Sequence, residues 1–185
     1  MKKIIKGDVD LSHLYLENLP AFLADVEILG LFACEFNRLQ TLEGCPKIIG
    51  KTFYCNNNQL RSLKGCPEVV KESFYCHYNQ LRSLEGCPEI IDGRFYCSNN
   101  QLESLEGCPK TGIIRHFNCL SNRLRSLKGC PEVIDGDFCC SYNQLQSLEG
   151  CPKVVRGDFW CRKNSKQFTV EEVKAVCHVN GQIMC

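Results

Sequence analysis

The sequence predicts a solenoid: short parallel strands stacked along one apolar core, with few or no helices between successive strands. Three observations predict it. The pattern F-x-C-x-x-N-x-L-x-[ST]-L-x-G-C-P recurs from Phe32, Phe53, Phe74, Phe95, Phe117 and Phe138, and its first half, F-x-C-x-x-N, again from Phe159, at steps of 21 residues and one of 22 between Phe95 and Phe117. A fixed period in this range marks a stack of identical supersecondary units. In each copy Phe and Cys stand two residues apart, so both point to one face of a strand while their neighbours point to the other. No copy contains an amphipathic run long enough for a helix, so the return side of each coil is expected to be extended or turn-like.

Residues 1–31 read as a degenerate first coil. Gly7-Asp8-Val9-Asp10-Leu11-Ser12 aligns with Gly136-Asp137-Phe138-Cys139-Cys140-Ser141, and Leu16 and Leu19 match Leu145 and Leu148. Leu14 stands where the repeat has asparagine. The stretch Pro20 to Glu27 replaces the Gly-Cys-Pro turn and predicts a short helical turn. Terminal coils are atypical because one side lacks a neighbour to stack on.

Residues 32–164 are the regular coils. After the strand comes one asparagine per coil: Asn37, Asn58, Asn79, Asn100, Asn122, Asn143 and Asn164. Buried at a turn, it is expected to bond backbone groups of its own coil and the next. Two leucines follow, such as Leu81 and Leu84, and pack inward. Gly-Cys-Pro makes a tight turn. An apolar pair such as Ile90-Ile91 or Val133-Ile134 then carries one inward residue towards the next strand. The extra residue lies in Lys110 to His116, on the return side, where a bulge absorbs it with little effect on the strand ladder.

Residues 165–185 change character. Thr169-Val170-Glu171-Glu172 is a capping box, and Val170, Val173, Val176 and Cys177 form one apolar stripe at helical spacing. A C-terminal helix of two to three turns is expected, covering the last coil over Phe168. The whole of 1–185 is then one domain.

Sixteen cysteines invite a disulfide framework, but their positions argue otherwise. Seven occupy the strand position (Cys34, Cys55, Cys76, Cys97, Cys119, Cys140, Cys161) and six the turn (Cys45, Cys66, Cys87, Cys108, Cys130, Cys151). A residue repeated once per coil fills one recurrent core site, which suits a small buried thiol. Reduced cysteines and a cytoplasmic location follow as expectations, since the start carries no apolar export segment. There is no C-x2-C pair, so no metal is expected, and no cofactor motif is present. The formal net charge is +1, which gives no general reason to expect nucleic acid or an acidic membrane.

The run Phe53-Tyr54-Cys55-Asn56-Asn57-Asn58-Gln59-Leu60 resembles the leucine-rich-repeat signature L-x-L-x-x-N-x-L, with Phe and Cys in the first two leucine positions. The likeness spans about residues 7–165. The short unit, the N-Q-L and the proline-bearing turn are similar to compact repeats of bacteria and bacteriophages, and to repeat domains of bacterial effectors. The resemblance implies a solenoid whose concave face binds another protein, plausibly a host defence or signalling factor. Phe and Cys depart from the usual leucines, and no appended catalytic domain of the effector ligases is present, so ligase activity is not implied.

Four outward columns flank Phe and Cys on that face. Tyr54, Tyr75, Tyr96 and Trp160 stand between Phe and Cys, interrupted by Asn118 and Cys139. His77 and Arg162 follow Cys, with Tyr78 and Tyr142 next. Arg94, His116, Asp137 and Asp158 precede Phe. Exposed aromatics among Asn, His and Arg suit a protein-recognition surface, although cross-strand packing alone would also favour them. The candidate binding residues are Tyr54, Tyr75, Tyr96, Trp160, His77, Tyr78, Arg94, His116 and Tyr142. Two alternatives are weighed against a protein partner. Single-stranded nucleic acid could stack on the aromatic column, but Arg94, Arg162 and Lys163 are opposed by Glu35, Asp137 and Asp158. A thiol enzyme could use Cys139 with His116 diagonal to it, which needs a close base or a lowered thiol pKa. A non-enzymatic binding module is the favoured expectation.

Overall fold

The structure, a computed structural model, describes residues 3–109, 112 and 114–185. It is a parallel β-solenoid with almost no helix. The long sheet has nine strands in chain order, from Val9–Asp10 through Phe32–Ala33, Phe53–Tyr54, Phe74–Tyr75, Arg94–Tyr96, His116–Asn118, Phe138–Cys139 and Phe159–Trp160 to Ile183–Met184. Each copy pairs with the next in register, Phe on Phe. The repeat predicts eight such strands. The ninth comes from the tail, which the pattern F-x-C does not mark.

The return side forms a second ladder of mostly two-residue strands. Lys3–Ile5, Val26–Ile28, Ile48–Ile49, Val69–Val70 and Ile90–Ile91 make one sheet, and Val133–Ile134, Val154–Val155 and His178–Val179 another. Within each repeat pair the second residue is buried and the first is not, as the alternation requires. The coil with the extra residue lies between these two described groups of strands. Lys110, Thr111 and Ile113 of that insertion lie outside the described residues, so the expected bulge does too. The long sheet runs through that coil without a register change, from Arg94 opposite His116 to Tyr96 opposite Asn118.

Every inward Phe, and every strand cysteine from Cys34 to Cys161, is buried. The phenylalanine rings form a column. From Phe32 to Phe117 they stack with centroids 5.1–5.6 Å apart and planes within 8° of parallel. Phe138 lies 40° from Phe117 and 73° from Phe159, so the column loses its stacking towards the C-terminal coils. The turn glycines are fixed by geometry. Gly107 has φ +89°, and a Cβ there would stand 2.6 Å from the carbonyl carbon of Leu84. Both the left-handed backbone and the contact exclude a side chain.

The asparagines tie coil to coil, but backwards in the chain. Asn79 Nδ2 donates to the carbonyls of Cys76 in its own coil (3.1 Å) and Cys55 in the preceding one (3.0 Å), while Oδ1 accepts from Leu60 N–H at 3.0 Å. Asn58, Asn100, Asn122, Asn143 and Asn164 repeat this set. The bonds run to the preceding coil because the leucine N–H and the cysteine carbonyl that face each asparagine belong to that coil.

In the tail the capping box forms, with Thr169 Oγ1 accepting from Glu172 N–H and Glu172 accepting from Thr169 N–H. The helix is only Val170–Lys174. It ends early because the backbone of the following residues pairs with Lys153 and Val155 on the return side. Residues 169–185 therefore build a further coil rather than a helix laid across the end. No helix among the described residues is long and apolar enough to cross a membrane.

Candidate functional site

The outward face of the long sheet carries the nine sequence-derived binding residues, but the structure sorts them into two groups. Tyr54, Tyr75, Tyr96, His77 and Tyr78 form one aromatic cluster. Strand register places Tyr54 over Tyr75, stacked at 4.9 Å, while Tyr75 meets Tyr96 edge-on at 5.1 Å. His77 packs edge-on against Tyr75, Tyr78 and Tyr96. Burial in this cluster pushes the Tyr54 and Tyr96 hydroxyls above, and the His77 imidazole below, their ordinary pKa values. The ring of His77 is thereby favoured neutral.

The second group surrounds a recess of about 440 Å³ between Tyr96 and Trp160. It contains His116, Tyr142 and Trp160 of the predicted set. It also contains Asn118, Leu120, Asp137, Cys139, Ser141 and Arg162, which were not in that set. The signal was present in the sequence, where Asn118 and Cys139 interrupt a column otherwise aromatic. Arg94 belongs to neither group and lines a separate depression with Glu72, Asp92, Arg115 and His116. His116 Nδ1 lies 3.0 Å from Asp137 Oδ2, and both side chains are partly exposed. Cys139 is half-buried at the floor of the recess rather than open to solvent, and burial raises its thiol pKa. A nucleophilic thiol needs the opposite shift.

One column over, Glu35 Oε2, Asn56 Oδ1 and His77 Nδ1 are buried without a hydrogen-bond partner in three successive coils. Burial also raises the Glu35 carboxyl pKa.

Among the described residues nine non-glycine residues hold positive φ, and seven of them, from Phe36 to Lys163, stand immediately before the coil asparagine. Asn57 and Asn99 suit that conformation; Phe36, Tyr78 and Tyr142 do not, yet they are 47%, 55% and 55% exposed. Bulky residues in a left-handed position, and in solvent, are kept against local stability. Tyr142→Asn is therefore expected to stabilise the fold by about 0.5–1 kcal/mol. Urea denaturation checks it, and an unchanged or lower midpoint would show that the ring contributes more than its backbone costs.

The sixteen thiols are unpaired. In the tail the Sγ atoms of Cys161 and Cys185 lie 3.3 Å apart. Among the described residues no group of three or more His, Cys, Asp or Glu side chains is placed to hold a metal ion.

No family model and no curated protein matches this chain. Among solved structures it is similar to YopM from Yersinia enterocolitica WA-314, at 16% identity and a TM-score of 0.33. The match covers 85% of this chain and 47% of that one, so the chain spans about half the length of this relative.

Proposed function

We propose that this leucine-rich-repeat-like solenoid is a non-enzymatic protein-binding module, and that its partner lies across the outward face of the long sheet. The observation that carries the reading is the aromatic cluster of Tyr54, Tyr75, Tyr96, His77 and Tyr78, held on a rigid ladder by strand register. Tyrosine offers a broad apolar face and one hydroxyl at small entropic cost, and such residues dominate binding energy at protein interfaces. The strained, exposed Tyr142 supports the same reading, because no ring contact among the described residues accounts for it. A cytoplasmic location agrees with sixteen unpaired thiols. Bacterial or bacteriophage origin and modulation of a host protein belong to this proposal and rest on the likeness of the 21-residue unit alone.

The test is partner capture from the native host with mass spectrometry, followed by titration of variants. Tyr75 touches Tyr54, Tyr96 and His77, so Tyr75→Ala is expected to cost about 2 kcal/mol of binding. The inward Phe and Cys are untouched, so circular dichroism should not change. Arg125 is exposed on the edge beyond the asparagine turn, and Arg125→Ala should bind as the parent does. Full affinity in Tyr75→Ala with loss in Arg125→Ala would move the site to the basic edge.

A further inference from the structure

The geometry points to the recess between Tyr96 and Trp160 as the specificity pocket of this face, taking an aromatic side chain of the protein partner with a carboxylate two residues further along an extended strand. The inference rests on the protein-binding reading and adds what the partner must carry.

Three observations build it. The first is a gap in a ladder. The column between Phe and Cys reads tyrosine in three successive coils, then Asn118, Cys139 and Trp160. Strand pairing places Tyr96 opposite Asn118, Asn118 opposite Cys139, and Cys139 opposite Trp160. At ~4.8 Å per strand the two large rings sit three steps, or roughly 14 Å, apart over two small residues. Where Tyr54 and Tyr75 stack on each other, the equivalent rungs here leave room for a ring supplied from outside. The resulting volume of about 440 Å³ lies in the range of ligand pockets.

The second is the hydrogen-bond inventory. Asn118 Oδ1 accepts from Leu120 N–H at 3.0 Å, which leaves its Nδ2 as a donor. The indole N–H of Trp160 can only donate. The Ser141 hydroxyl already accepts from Arg162 N–H at 3.1 Å. Asn118 and Trp160 therefore offer donors to an acceptor on the partner.

The third is charge. Of the ionisable groups around the recess, Asp137 faces His116 at 3.0 Å, and its other oxygen accepts from Asp158 N–H at 2.9 Å. Arg162 has no acidic partner among the described residues, and it stands at the wall beside Trp160. Arg162 is thus a guanidinium open to a partner's carboxylate, two residues past Trp160, while the Asp137 carboxylate stands two residues before Cys139 with both oxygens engaged. From the Cys139 rung to Arg162 is one strand across and two residues along, about 8 Å. Residues i and i+2 of an extended peptide share a face at about 7 Å, so one strand can place its aromatic ring in the gap and its carboxylate on Arg162.

Trp160 is the single tryptophan of the chain, so its fluorescence and its indole N–H resonance report on the recess. The probe is the blocked peptide acetyl-Gly-Phe-Ala-Glu-Gly-amide. Saturable shifts of the Trp160 signal are expected, about fivefold weaker with Gln in place of Glu, and absent with Leu in place of Phe. Arg162→Gln should erase the difference between Glu and Gln peptides. Cys139→Phe, which supplies the missing ring from within, should abolish binding while circular dichroism stays unchanged; Arg162→Gln provides the answer if that variant does not fold. No saturable shift, or equal binding of the Glu and Gln peptides, would overturn the inference. So would phenylacetate binding more tightly than the peptide, which would make the recess a small-molecule site. Once the partner is in hand, loss of its binding in Tyr75→Ala but not in Cys139→Phe would discard the pocket and leave the face. Retention in both variants would discard the face itself.

Discussion

Asn79→Ala is expected to destabilise the solenoid by about 3–4 kcal/mol. The side chain is buried and makes bonds to two coils at once. The groups it leaves behind are not equally affected. The carbonyl of Cys55 keeps a bond from Asn58 at 3.2 Å, and that of Cys76 keeps one from Asn100 at 3.1 Å. The N–H of Leu60 has only Asn79 Oδ1 at 3.0 Å, in a place walled by leucines. An orphaned buried donor costs about 1–3 kcal/mol, and the lost bonds add about 1 kcal/mol each. Gln59→Ala, one coil earlier on an exposed side chain, is the control and should change stability by less than about 0.5 kcal/mol. Chemical denaturation followed by circular dichroism compares the two. A loss below about 1 kcal/mol in Asn79→Ala would mean that water replaces the amide and that the asparagine ladder is not what binds coil to coil.

Phe74→Ala should cost a similar amount, about 3–5 kcal/mol. Its ring is buried and stacks on Phe53 at 5.4 Å and Phe95 at 5.6 Å, so removal opens a cavity bounded by two parallel rings that cannot close over it. In a solenoid each coil contacts chiefly its neighbours, so the loss weakens two interfaces together. Phe138→Ala makes the informative comparison. Its neighbours are tilted at 40° and 73°, and that looser packing can relax further into the space. Its expected loss is smaller, about 2–3 kcal/mol. Equal losses at both positions would show that burial alone, without ring stacking, sets the energy of this column.

Neither substitution touches the outward face, which separates the stability of the ladder from the recognition proposed for it. The opposite holds for Tyr142, whose replacement should raise stability while changing the rim of the recess. A face that carries aromatics in left-handed positions is one on which local stability and surface chemistry disagree.

Much of the outward face was legible before any coordinates. A strand turns alternate residues to opposite sides, so placing Phe and Cys inward placed Tyr54, Tyr75, Tyr96 and Trp160 outward. What could not be read was which of them meet. Tyr54 and Tyr75 stack while Tyr96 turns edge-on to Tyr75, with His77 packed against both Tyr75 and Tyr96. Cys139, expected to face solvent, is half-buried. The recess is a property of residues from four different coils, Tyr96, Asn118, Cys139 and Trp160, and no single repeat contains it.

The sequence by itself determined the solenoid, the register of the long sheet, the inward Phe and Cys columns and the one-asparagine turn. It could do so because a 21-residue period with a two-residue alternation is satisfied by one winding, and a one-residue slip would turn every phenylalanine into solvent. Tertiary structure alone decided the last coil and the backward direction of the asparagine bonds. His178–Val179 and Ile183–Met184 carry no repeat signature and are too short for periodicity to show. They become strands because the preceding coil offers unpaired backbone groups at Val154–Val155 and Phe159–Trp160. Strand formation at that length is dictated by the neighbour and not by the residues themselves.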